Sequence, residues 1–264
     1  MNISRDCSYL LDLIQKYSSS SNESLESFSI INLKKELEVW ARDCFISFNE
    51  FGSLPRGTGL KSTANIKLSI FLKEFCFQKF NGIKTCYESL YTYLSENHRD
   101  VKKKNVSICL RLDGLNIDIL PIFKLNDKSE DHLIFKNDTK SELVTNTLKH
   151  IEEIKFSGIL NEILIFKIWC QQQKIFFPSI YLEFFLIEIF YKLNFVKSNS
   201  LSENFRYLLR KLSRKDANPL FLKVRDPSNR KNFLSDLIDD NYKNIIIKKS
   251  QKMMLFRDVK DIIF

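Results

Sequence analysis

The sequence predicts an α+β fold, a small mixed-sheet lobe followed by a helical lobe. Three observations carry that prediction. Segments with the two-residue period of strands are confined to the first half of the chain. From about residue 139 onward the apolar spacing is helical almost without interruption. Gly and Pro number only 6 and 5 in 264 residues, against roughly 12% in average usage, which disfavours a many-turned all-β fold.

The elements follow in order. Ser4 to Tyr17 places apolar residues at 7, 10, 11, 14 and 17, a helical stripe, and this first helix is expected to pack back on the helical lobe. A polar break, SSSSN at 18–22, separates it from a long helix expected over Glu23–Phe48, with Leu33, Leu37, Trp40, Cys44 and Phe48 on one side. GSLPRGTG at 52–59 interrupts the pattern with three glycines and a proline. Ala64–Leu72 then alternates, with Asn65, Lys67 and Ser69 on one face and Ile66, Leu68 and Ile70 on the other. Thr85–Glu96 reads as helix. Asn105–Leu112 and Leu115–Phe123 read as two strands joined through Asp113-Gly114, a hairpin signal. Helices are expected at 139–154, 158–174, 179–194, 201–214 and 233–260, with a polar loop at Phe221–Asn232 (FLKVRDPSNRKN). The expected lobes are residues 1–138 and 139–264.

Composition excludes several classes. Hydrophobic residues make up 44% and charged residues 28%, which is not a disordered chain. The six cysteines (7, 44, 76, 86, 109 and 170) show neither CxxC nor zinc spacing, so neither a disulfide framework nor a structural zinc site is expected. The N-terminal Met-Asn-Ile-Ser-Arg-Asp-Cys lacks the layout of a secretory leader. Phe176–Val196 carries Glu183, Glu188 and Lys192, which predicts a buried helix and no membrane partner. A cytoplasmic protein is expected. The net charge is +9, of which residues 201–264 carry +7, with 15 Lys/Arg against 8 Asp/Glu. That basic quarter is a candidate surface for RNA or DNA, its bland counterpart being a solvated lysine face.

The informative stretch is Phe51–Leu72, FGSLPRGTGLKSTANIKLSIFL. Gly52-Ser53 opens a tight turn whose backbone N–H groups can approach a phosphate, and Arg56 and Lys61 add positive charge. With Gly57-Thr58 and the strand that follows, this segment resembles the signature of the polymerase-β-like nucleotidyltransferases. Within them it is similar to the oligoadenylate synthase and bacterial cGAS/DncV-like group. Asn116-Ile117-Asp118-Ile119-Leu120-Pro121 looks like that family's third-carboxylate strand. Lys167-Ile168-Trp169, followed by Pro178-Ser179-Ile180-Tyr181-Leu182-Glu183, resembles its Lys-x-Trp helix and the next helix. Val224-Arg225-Asp226-Pro227-Ser228-Asn229 resembles its late Asp-Pro-x-Asn loop.

The resemblance implies a two-lobe nucleotidyltransferase fold, nucleotide contacts at Gly52, Ser53 and Lys167, and a remnant catalytic centre at Asp118, Asn65 and Lys67. Tyr181 is a candidate for base stacking or for packing. The family's Asp-x-Asp pair, which with the third Asp holds two Mg²⁺ ions, is replaced here by Asn65 and Lys67. A Lys in that place sets a positive charge against a dication, a repulsion of several kcal/mol at about 4 Å and an effective dielectric of about 20. No resident metal is therefore expected. The leading reading is a pseudo-enzyme that binds a nucleotide, an oligonucleotide or a protein partner, in antiviral or antiphage defence signalling. One alternative is an active Mg²⁺-dependent nucleotidyltransferase that makes an oligonucleotide second messenger or extends RNA, with Mg²⁺ and NTP held by Asp118 and a second carboxylate such as Asp113. Another is an interaction scaffold closed by a Lys67–Asp118 pair. The three histidines, 98, 132 and 150, show no partner spacing.

Overall fold

The computed structural model describes residues 3–19, 27–61, 65–126, 130–192 and 197–264. The chain divides into two compact units that are discontinuous in sequence. One comprises residues 21–55 and 63–150, the other residues 1–20, 56–62 and 151–264. These units differ from a linear division at 138/139 in that residues 1–20 and 56–62 group with the C-terminal half, and 139–150 with the sheet.

The first helix, α1 (Ile3–Tyr17), belongs to the helical unit and packs on its later helices, burying Leu10, Leu13 and Ile14. In the sheet unit, α2 (Phe28–Ala41) ends where Arg42 takes a positive φ of 52°, followed by a 3₁₀ turn over Arg42–Cys44. Then come β1 (Phe45–Glu50), β2 (Ile66–Leu72), α3 (Cys76–Lys79), α4 (Ile83–Asn97), β3 (Lys102–Lys103), β4 (Ile108–Leu112), β5 (Leu115–Lys124), β6 (His132–Lys136) and β7 (Ser141–Thr145). The strands form one sheet in the order β1-β2-β5-β4-β3, with β6 and β7 continuing from β5. The β2–β5 pair is parallel and its neighbours are antiparallel. Ile30, Leu33 and Leu37 of α2 and Tyr87, Leu90 and Leu94 of α4 join Ile66, Leu68, Ile70, Ile117 and Ile119 in one core. Burying each such side chain stabilises by roughly 1.5–3 kcal/mol. One face of β2 and β5 is thereby committed to the core, and the residues alternating with it face the other way.

The chain passes between the units within α5 (Thr147–Lys155). The helical unit continues with α6 (Leu160–Gln172), α7 (Ser179–Lys192), α8 (Leu201–Leu212), α9 (Asp240–Met253) and α10 (Val259–Ile263). Trp169, Phe166, Tyr181, Phe185 and Phe205 fill its core.

Four sequence expectations are corrected. Phe45–Glu50 is a strand, so the helix expected to reach Phe48 stops short of it, because pairing with β2 (Phe45↔Leu72 to Glu50↔Leu68) satisfies its backbone. Ser141–Thr145 is likewise a strand, hairpinned onto β6. The helix expected over 233–260 is a 3₁₀ turn at Leu234–Leu237 followed by α9 and α10, with Asp239 capping α9 by accepting from the Tyr242 amide at 2.9 Å. Cys44 and Cys76 form a disulfide, 32 residues apart with Cα atoms 5.7 Å from each other. The β1–β2 register brings both to one end of the hairpin, which spacing along the chain does not reveal. The break at 18–22 lies from residue 20 outside the described residues, as do the start of the helix expected from 23, Ala64, and the end of the helix expected to reach 194.

Candidate functional site

The parallel register of β2 and β5 sets Lys67 directly beside Asp118. Both alternate away from the core face, so their side chains share the opposite face of the sheet. Asp118 is almost fully buried, with 4% of its side chain exposed. Three groups converge on it. Lys104 Nζ donates to Oδ1 at 2.6 Å. Lys67 Nζ lies 4.0 Å from Oδ2. Asn65 Nδ2 makes a long contact to Oδ2 at 3.5 Å.

Lys104 was not singled out in the sequence. It sits in the turn between β3 and β4, where its amide donates to the Ser107 carbonyl at 2.8 Å. The hydroxyl of Tyr87, from α4, donates to the Lys104 carbonyl at 2.8 Å and reaches that of Ser107 at 3.1 Å. Its only sequence signal is the run Lys102-Lys103-Lys104, which reads as a solvated cluster. Cys109, opposite Asp118 in the β4–β5 register, has its thiol pKa raised by burial and by the Asp118 charge.

Gly52 follows β1 with φ +89°. A Cβ there would lie 2.6 Å from Lys67 Cδ, so the lysine stem passes against the bare backbone of the turn. The Phe51 amide donates to the Lys67 carbonyl at 3.1 Å, and Lys67 Nζ stands 5.9 Å from the Phe51 ring centroid. Ser53 is half-buried in the same turn. Asp113 lies at the β4–β5 hairpin, where it accepts from the Ser29 hydroxyl. Leu115 to Asp118 alone spans roughly 10 Å at about 3.3 Å per residue, and Asp113 lies beyond Leu115, so it does not join the Asp118 cluster.

This donor set does not fit a two-metal centre. Mg²⁺ requires oxygen ligands, chiefly carboxylates and phosphates. The cluster offers one carboxylate, already engaged by two ammonium groups, and one neutral amide. Among the described residues no group of three or more His, Cys, Asp or Glu side chains is placed to hold a metal.

The helical unit contains a second charged cluster, around Glu183 of α7, which is fully buried. Arg56 Nε contacts Oε2 at 2.6 Å, and the Thr58 hydroxyl donates to Oε1. Lys167 of α6 contacts Oε1 at 3.2 Å and donates to the Thr58 carbonyl at 2.6 Å. Burial pushes the Glu183 carboxyl up, but the charges of Arg56 and Lys167 and the hydrogen bonds from Arg56 and Thr58 outweigh it and hold it below the ordinary value. Arg56, expected to add open charge beside Gly52, is thus neutralised by Glu183. Lys167 is buried and clamps the 56–58 segment to α6 and α7.

Other predicted positions are structural. Tyr181 is wholly buried, with its hydroxyl donating to the Leu220 carbonyl at 3.3 Å, so it packs rather than stacks. Asp226 closes its own loop by accepting from the Ser228 amide (2.9 Å), the Ser228 hydroxyl (2.6 Å) and Asn232 Nδ2 (3.0 Å). His98 pairs with Glu36 at 2.7 Å, and His132 and His150 are buried.

No family model and no curated protein matches this sequence. Solved structures do match its fold. CdnC of E. coli MS115-1, in complex with HORMA-deltaN, superposes with a TM-score of 0.67 at 18% identity, covering 94% of this chain and 89% of that one. The CD-NTase CdnG of Bradyrhizobium diazoefficiens, in complex with GTP, gives 0.65 at 12% identity over 97% and 94%. Cid1, described by its RNA terminal uridylyl transferase activity, gives 0.60 at 11% identity over 95% and 92%. The chain has the nucleotidyltransferase fold that these structures share.

Proposed function

We propose that this protein is a catalytically degenerate nucleotidyltransferase, one that binds a nucleotide or oligonucleotide without transferring it. The carrying observation is the engagement of Asp118 by Lys104 and Lys67, where a metal-dependent relative needs an open carboxylate cluster. The two ammonium groups leave the cluster with a net charge of +1. Their side chains are 42% and 37% exposed, so both reach solvent. A phosphate meeting them needs no bridging metal. Gly52 and Ser53 supply the adjoining turn, and Lys167 acts by holding the 56–58 segment.

The neighbouring CD-NTases and the HORMA complex of CdnC support a place in antiviral or antiphage signalling, with a protein partner. The basic C-terminal quarter is the surface for RNA or DNA. A second reading, an interaction scaffold, is favoured by the Lys67 stem, which fills the space over Gly52.

The test is a thermal-shift titration with the four NTPs, with Mg²⁺ and with EDTA, alongside chromatography of the reaction mixtures. The expected result is a shift that persists in EDTA, with no nucleotide product. Mg²⁺-dependent product formation, lost in Asp118→Ala, overturns the proposal. Absence of any shift moves the function to the scaffold.

A further inference from the structure

The helical unit concentrates unbalanced positive charge at one corner. Arg210 and Lys211 lie in the last turn of α8, and Arg214 and Lys215 in the residues just beyond it. Lys248 and Lys252 lie one turn apart on α9, about 6 Å along its axis at about 1.5 Å per residue. The two groups are brought together by packing of α8 against α9, with Gln251 Nε2 donating to the Ser213 carbonyl at 3.0 Å. Five of the six are exposed, and Lys211 is half-buried, 5.2 Å over the Tyr207 ring.

Three other cations in the same unit are paired, unlike these six. Arg206 pairs with Asp6 at 3.6 Å, Lys223 with Asp236 at 2.7 Å and Lys243 with Asp240 at 2.9 Å. Among the described residues no carboxylate lies within 4 Å of any of the six. A solvated lysine face intersperses both signs, whereas residues 210–215 and 248–252 carry no carboxylate, the exposed Asp216 following directly after Lys215. Part of the corner's charge balances the negative ends of the α8 and α9 dipoles, through Arg210 and Lys211 on the one and Lys252 on the other, an effect confined to the last turn, which leaves Lys248 outside that account.

We infer that the α8–α9 corner is a docking site for a nucleic-acid phosphate backbone, bound without regard to sequence. Single-sign clusters raise encounter rates with polyanions, and binding releases the condensed counterions of the nucleic acid. The inference rests on the reading of the C-terminal quarter as an RNA or DNA surface and assigns that surface to named residues. It does not depend on the Asp118 cluster.

Fluorescence anisotropy of the full chain tests it, with a labelled RNA duplex of about 20 base pairs and a DNA duplex of the same sequence, over about 50–200 mM salt. Four to six phosphate contacts give a slope of log affinity on log salt of about −4 to −5. The pair Arg214→Glu and Lys252→Glu is expected to weaken binding at least tenfold and to flatten the slope by about 2. A control pair with the same charge change in the sheet unit, Lys84→Glu and Lys149→Glu, is expected to leave affinity within about threefold, as sequence-independent contacts are local. The melting temperature of each variant checks its folding. Binding that survives the α8–α9 reversal, or falls equally with the control, overturns the location while leaving the RNA/DNA reading standing. Failure of the unaltered chain to bind either duplex overturns both. Preferential binding to phosphatidylserine vesicles also overturns the inference, in favour of an anionic membrane surface. A difference between the RNA and DNA arms names the natural polymer.

Discussion

At the scale of single residues, the charge balance around Asp118 is the feature to test. Clustered carboxylates repel one another, so a metal-dependent centre gains stability when one is neutralised. Here the opposite holds, because Asp118 is the counter-charge for Lys67 and Lys104. Asp118→Asn is expected to lower stability by about 1–2 kcal/mol, the range for a charged hydrogen bond discounted for two partly exposed lysines. Urea unfolding measures it, and an unchanged or raised midpoint contradicts the ion-pair account. Glu183 is the second sensitive residue. Its carboxyl is held below its ordinary value of 4.5, so its contribution is present above about pH 4.5 and is lost as pH falls through the lower folded value. Glu183→Gln strands the buried Arg56 and Lys167 charges and is expected to cost about 3–5 kcal/mol at pH 7. The loss should shrink toward pH 3, which melting curves across that range would show.

At the scale of elements, the β1–β2 hairpin is held by its ladder and by Cys44–Cys76. Crosslinking residues 32 apart constrains the unfolded chain by about 3–4 kcal/mol in the chain-entropy description. Reduction with a dithiol, or the double change Cys44→Ala with Cys76→Ala, is expected to lower the midpoint accordingly. The sheet order should survive, since the ladder and the α2–α4 core remain. Equal stability of oxidised and reduced protein would show that this link carries none of the hairpin's rigidity.

At the scale of the whole molecule, the chain has the fold of its nucleotidyltransferase neighbours, and its Asp118 cluster holds one carboxylate between two lysines. A ligand at about 100 times its dissociation constant stabilises by about 2.7 kcal/mol. For a chain of this size that is a shift of about 5–10 °C. For an NTP that meets Lys67 and Lys104 directly, the shift is expected to be the same in EDTA and to fall steeply with salt. A shift abolished by EDTA would return the site to metal chemistry.

Much of this was legible along the chain. The alternation over 66–72, the Asp113-Gly114 hairpin and the helical spacing after 158 reflect local periodicities of 2 and 3.6, which any reader of side-chain pattern can find. The positions of Asn65, Lys67 and Asp118 followed from motif spacing. Lys104 did not, because a turn residue is brought to Asp118 by the β3–β4 connection and the Tyr87 anchor. The burial of Lys167 and Arg56 on Glu183 was hidden for the same reason, since the partners are 16 and 127 residues away. Phe45–Phe48 and Ser141–Thr145 read as helix until a neighbouring strand supplied their hydrogen bonds. By itself, then, the sequence determined the fold class and which residue types stand at 65, 67 and 118, which depend on local order and residue identity. Only the tertiary structure decided which charges meet, because ion pairs and ladders form across space between segments whose separation along the chain carries no signal.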